Sequence, residues 1–142
     1  MVQQAFQFIN LGTYLSVNTR QPGNPLFASA SSVGPNELFE VESLTAGSSL
    51  CVMKASNGLY LGYTPLVPCI GANATIDTAI QFVQIVTQSN QVSLIVTGLD
   101  ATTGLVVADT NSTPPNLIVM LPLDTSGWPN EYAMLQVTGY DQ

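Results

Sequence analysis

The chain is written in short apolar runs set off by glycine, proline, asparagine and serine, and no window carries an apolar stripe at helical spacing. Three of these runs, Phe6-Gln7-Phe8-Ile9, Leu50-Cys51-Val52-Met53 and Val92-Ser93-Leu94-Ile95-Val96, each lead through a turn-forming segment to a glycine. A second strand-like run follows each glycine, as Gly12-Thr13-Tyr14-Leu15, Gly58-Leu59-Tyr60-Leu61 and Gly104-Leu105-Val106-Val107, with the glycines 46 residues apart. A period in this range marks copies of one supersecondary unit, each too small to bury its own apolar face.

The rest of each unit fits the same plan. Asn57-Gly58 between strand runs is a strong hairpin signal, and Asp100 to Thr103 forms a longer version of that turn. Leu26 to Ala30 and Leu117 to Leu121 read as third strands, while Pro65 and Pro68 bracket a short edge-like segment in the second unit. Glu37-Leu38-Phe39-Glu40-Val41-Glu42 alternates as a half-buried strand should, and Ile80 to Val86 and Tyr132 to Val137 close the other two units. Pro-Asn-Glu recurs at 35–37 and 129–131, just before these closing strands. The pattern predicts an all-β chain of twelve short strands, one domain over 1–142 with repeats of about 1–47, 48–90 and 91–142. Three hairpin units closing on one another leave no exposed sheet edge, and the β-trefoil is the architecture that does this.

Charge narrows the partners. Arg20 and Lys54 are the only cations against nine carboxylates, giving a net charge of −7, so nucleic acid and anionic lipid are poor candidates. With 8% of residues charged, the surface falls to Ser, Thr, Asn and Gln, which suits an uncharged, hydrogen-bonding ligand. The chain has no histidine, which removes Ser-His-Asp and Cys-His catalysis and histidine metal sites; no phosphate loop or dinucleotide motif is present. Glu40 and Glu42 share a strand face, but acid catalysis needs a buried, perturbed carboxyl and a solvated face does not supply one. A non-enzyme without cofactor or metal is expected.

Met1 to Ala5 lack the basic start and apolar core of a secretory signal, and Leu117 to Leu121, the longest apolar run, is broken by Pro122. A cytoplasmic monomer without membrane insertion is expected, export by another route staying open, and the sequon Asn73-Ala74-Thr75 matters only on secretion. Cys51 and Cys69 are a disulfide or two thiols; in its apolar run Cys51 reads as a buried thiol.

The order of strand, Asx/Gly turn, Gly-x-Tyr-Leu, loop and closing Asn-Glu-x-Phe resembles the ricin-B type of β-trefoil lectin. Units of that family carry a Gly-x-x-Val-Asp segment and an Asn-Gln-x-Trp-like close. The closing match is Asn36-Glu37-Leu38-Phe39 in the first unit and Asn130-Glu131-Tyr132-Ala133 in the third, against Ala79-Ile80-Gln81-Phe82 in the second. The acidic chain is similar to the family's mushroom members, which include a mannose-binding protein and the light subunit accompanying tyrosinase. The resemblance implies a lectin for mannose or a related neutral sugar, with a shallow pocket per unit made of an aspartate, an aromatic and an asparagine. A carboxylate accepts two hydroxyl bonds, an amide donates and accepts, and an aromatic face covers the C–H side of a pyranose.

At the aspartate position stand Ser16, Gly62 and Ala108, and only the third unit has a carboxylate nearby, Asp109. One step along a strand reverses the side chain, so Asp109 serves only where a bulge or strand end re-aims it. The third-unit candidates are Asp109, Asn111, Trp128 and Asn130; those of the first are Asn36 with Tyr14 as platform. Asp109-Thr110-Asn111 reads equally as a turn, Trp128 as a barrel plug, and the recurrence of Tyr14 and Tyr60 as structural. Two further functions stay open. One is a non-catalytic partner of an oxidase such as tyrosinase; the other is a protease inhibitor presenting Asn24-Pro25 or Thr113-Pro114-Pro115.

Overall fold

Phe6 and Phe8 alternate with Gln7, and this period of two turns both rings inward along the first strand, β1 (Gln3–Phe8). In the computed structural model, residues 3–44, 50–63, 70–88, 91–96, 105–109, 116–121 and 135–140 are described. After β1 come β2 (Thr13–Val17), β3 (Leu26–Ala30), β4 (Phe39–Ser43), β5 (Leu50–Lys54) and β6 (Tyr60–Tyr63). The remaining strands are β7 (Ile70–Ala74), β8 (Phe82–Gln88), β9 (Gln91–Val96), β10 (Leu105–Asp109), β11 (Leu117–Leu121) and β12 (Leu135–Tyr140).

The pairings repeat every four strands. β1, β4, β5, β8, β9 and β12 pair in that order, and β12 returns to β1, so the ring closes antiparallel on itself. From β1, β5 and β9 hang the hairpins β2–β3, β6–β7 and β10–β11. Corresponding residues follow from the ladders: Gln4 faces Phe39, Cys51 faces Phe82 and Val92 faces Leu135. In the hairpins Ser16 faces Phe27, Gly62 faces Gly71 and Ala108 faces Ile118.

Local chemistry sets this register. Gly12 and Gly58 hold φ of 73° and 83°, where L side chains are strained, and each donates its N–H back across the turn, to Phe8 and Ala55. Both following hairpins shift register at the same place, between Tyr14 and Leu15 and between Tyr60 and Leu61. Asn24 and Asn116 also have positive φ, 47° and 66°, and each clasps the next hairpin through two bonds. Ala72 donates to the Asn24 carbonyl at 3.0 Å while Asn24 Nδ2 donates to the Ala72 carbonyl at 3.0 Å. Asn116 repeats this on Ala28 at 2.8 and 3.3 Å.

The core draws on both layers. Phe6, Phe8, Phe39, Met53, Phe82, Leu94 and Leu135 come from the ring, and Leu15, Leu26, Leu61, Ile70 and Ile118 from the hairpins. The Phe6 and Phe39 rings lie 6.3 Å apart at 57°, a tilted aromatic pair. Cys51 is a free thiol in this core, pushed up to about 11 by burial, and Cys69 lies outside the described residues.

Three sequence expectations need correction. Glu37 does not open a strand: Pro35–Glu37 is a single 3-10 turn, seeded by proline at its start, and β4 begins at Phe39. The second unit's third strand is Ile70–Ala74, and the segment between Pro65 and Pro68 lies outside the described residues; Gly71 and Ala72 are poor strand formers that the ladder to β6 overrides. Its fourth begins at Phe82, later than the apolar patterning suggested, while the stretch before Leu135 lies outside the described residues. Among the described residues no helix is long and apolar enough to cross a membrane.

Candidate functional site

A cleft of about 550 Å³ opens beside the β2–β3 hairpin. Thr13 and Ser16 of β2, Phe27 and Ser29 of β3, the following turn at Asn18 and Arg20, and Asn36 of the 3-10 turn form its walls. Asn116 enters from the third unit, carried there by its clasp on Ala28.

The hydrogen bonds already made leave each polar group with a definite face for a ligand. Ser16 donates its hydroxyl proton to Glu37 Oε2 at 2.5 Å, so toward the cleft it is an acceptor. Glu37 Oε1 takes the Gly34 N–H at 2.8 Å, which fixes the carboxylate beside Ser16. Asn36 accepts from Ser56 Oγ through Oδ1 at 3.1 Å, leaving its amide N–H groups as donors. Asn18 Oδ1 accepts the Arg20 N–H at 3.0 Å, an Asx turn that fixes the loop and again leaves an amide donor. Asn116 spends Nδ2 on Ala28 and presents Oδ1. Thr13 is committed to the Ala28 carbonyl at 2.6 Å. Phe27, only 6% exposed, shows a small apolar edge among these groups.

The second unit has the same hairpin with other residues at the corresponding positions. Gly62 stands where Ser16 does, and a Cβ there would meet Ala74 Cβ at 2.7 Å and Asn73 Oδ1 at 2.8 Å. Asn73, in the place of Ser29, donates Nδ2 to the carbonyls of Gly23 and Tyr63 at 3.2 and 3.3 Å and lies across the space. Where Glu37 precedes Phe39 by two residues, buried Ile80 precedes Phe82.

Of the expected site residues, Asn36 lines the cleft. Tyr14, half-buried on β2, does not line it; Thr13 and Ser16 on either side do, because the register shift after Tyr14 sets the strand's facing anew. Asp109 ends β10, and the ladder passes through Ala108 and Asp109 without a register shift. Asn111, Trp128 and Asn130 lie outside the described residues. Residue patterning did not single out Arg20, Phe27 or Asn116. The available signal was Asn directly ahead of a third-strand run, in Asn24-Pro25-Leu26 and Asn116-Leu117-Ile118.

Glu40 and Glu42 have partners of their own. Tyr60 donates its hydroxyl to Glu42 at 2.8 Å, and this bond, followed by desolvation and the charges of Glu42 and Glu40, holds the phenol above its usual range. Glu40 faces Lys54 across β4–β5, and both border a recess of about 230 Å³; the Lys54 ammonium sits 6.0 Å from the Tyr60 ring centre. Among the described residues no group of three or more His, Cys, Asp or Glu is placed to hold a metal.

Solved structures share this architecture over nearly the whole chain. The BEL β-trefoil matches at TM-score 0.67 with 15% identity, covering 98% of this chain and 93% of its own. The fold is a β-trefoil. A Macrolepiota procera ricin B-like lectin, solved with lactose, matches at TM-score 0.68 with 13% identity over 95% of this trefoil and 93% of the lectin. A Clostridium perfringens endo-β-galactosidase matches at TM-score 0.74 with 10% identity over 99% of this trefoil but only 33% of the enzyme. No family model matches the sequence. No curated protein matches it either.

Proposed function

We propose that this trefoil is a non-catalytic carbohydrate-binding protein whose first unit holds a working pocket for mannose or a related neutral sugar. The observation that carries the reading is the first-unit cleft, where Ser16 and Asn116 present acceptors and Asn18 and Asn36 present donors around the Phe27 edge. A pyranose needs this mixture, since each hydroxyl both donates and accepts. The lectins among its structural neighbours and the lack of histidine agree with binding rather than cleavage. Asp109, Asn111, Trp128 and Asn130 are proposed as a second pocket, on the chemistry of their side chains alone.

Calorimetric titration with methyl α-mannoside tests the reading. Weak, saturable heat that Asn36→Ala and Ser16→Ala each reduce about tenfold in affinity is expected. No heat from mannose and no signal on a broad panel of neutral glycans would reject it.

A second reading is a non-catalytic partner subunit of an oxidase such as tyrosinase. The crowding at Gly62 and the missing carboxylates at Ser16, Gly62 and Ala108 favour it, because a partner subunit needs no sugar pockets. Co-purification with an oxidase, unaffected by Asn36→Ala, is its expected sign.

A further inference from the structure

Arg20 is one of only two cations in a chain of net charge −7, and it lines the wall of the first-unit cleft. The Asn18 Asx turn holds the backbone that carries it. Among the described residues no ion pair to its guanidinium is present, and the Glu37 carboxylate that Ser16 contacts is committed through both oxygens to Gly34 and Ser16. The other wall groups among the described residues are neutral. The cleft therefore offers a planar fork of N–H donors with no acid among the described residues to fill it, beside a hydroxyl-binding surface. A fork of this shape pairs bidentately with a carboxylate, which a neutral sugar lacks.

Resting on the sugar-binding reading of the same cleft, we propose that its preferred ligand is a hexuronate, a sugar residue whose ring bears a carboxylate that Arg20 receives. The neighbouring amides and the Ser16 oxygen hold the ring hydroxyls, and Arg20 reads the acid. The negative charge of the whole chain does not oppose this strongly, because charges more than about 8 Å away are largely screened at physiological ionic strength.

Methyl α-mannoside and methyl α-mannuronoside differ only at C6, where a hydroxymethyl group is replaced by a carboxylate, so the ratio of their affinities isolates the acid. In the unaltered protein the uronoside is expected to bind about fivefold more tightly, as for an exposed but oriented charge pair. That preference shrinks as salt rises toward about 0.5 M. Arg20→Gln brings the ratio to about one, whereas Lys54→Gln, which changes net charge equally but lies outside the cleft, leaves the ratio as it was. Equal binding of the two sugars by the unaltered protein, or an equal fall in the ratio for both variants, overturns the proposal and leaves neutral-sugar binding standing. Binding of neither mannoside, uronoside nor any neutral glycan overturns the sugar-binding reading itself. Circular dichroism of Arg20→Gln, an exposed loop change, confirms that the compared proteins are folded.

Discussion

The first and second units share one backbone and part company at the surface. Both hairpins turn on a glycine with positive φ, shift register at the same point and bury a leucine and a phenylalanine at matching places, Leu15 with Phe39 and Leu61 with Phe82. Yet Ser16, Phe27 and Ser29 line a cleft in one, with Glu37 holding Ser16, while Gly62, Gly71, Asn73 and Ile80 stand at those positions in the other. The lesson is that scaffold and site are written on different residues. Inward side chains and turn glycines fix the trefoil, and outward positions on β2, β3 and the loop before β4 decide whether a pocket exists.

The largest effect should come from what the units have in common. Phe39→Ala and Phe82→Ala remove rings that are 0% and 1% exposed, and each is expected to cost about 3–5 kcal/mol in urea denaturation, alike in both units. A large inequality between them would mean that the units do not share one core.

Next comes the exchange that separates them. Gly62→Ser drives a side chain into Ala74 and Asn73, with an expected loss of about 1–3 kcal/mol and no change in mannoside binding. The reverse change, Ser16→Gly, gives up one hydrogen bond to Glu37, about 1 kcal/mol, and weakens the sugar. Asn24→Ala tests the clasp between the units: alanine at φ 47° and the lost bond to Ala72 together should cost about 1–2 kcal/mol, without affecting the cleft that Asn116 helps to line.

The smallest effect is alkaline. Burial raises the Cys51 thiol from 9.0 to about 11, so folding favours its protonated form. This contribution is whole below pH 9.0 and is lost as pH climbs toward about 11; the raised Tyr60 phenol acts in the same direction. Urea midpoints should fall between pH 8 and about 10.5, and fall less in Cys51→Ala.

Much of the scaffold could be read from residues because it is local. Gly12 and Gly58 announce their turns, and Asn57-Gly58 between apolar runs leaves little choice of connection. β7 escaped because its residues, Ile-Gly-Ala-Asn-Ala, carry little strand preference and are held by pairing with β6. Glu37 escaped because alternation with Phe39 hides a proline-started turn whose carboxylate points back to Gly34. Of the site, Asn36 was visible through its motif. Arg20 sits in a loop of ordinary turn composition, and Asn116 reaches the first unit only by contact between hairpins distant in sequence, which no local pattern encodes.

The most direct test of the first-unit site is a map of backbone amide shifts during titration with methyl α-mannoside. Shifts gathered at Ser16, Asn18, Arg20 and Asn36, with Gly62, Gly71 and Asn73 still, are the predicted result. Shifts confined to the second unit, or to the third around Asp109, would contradict it.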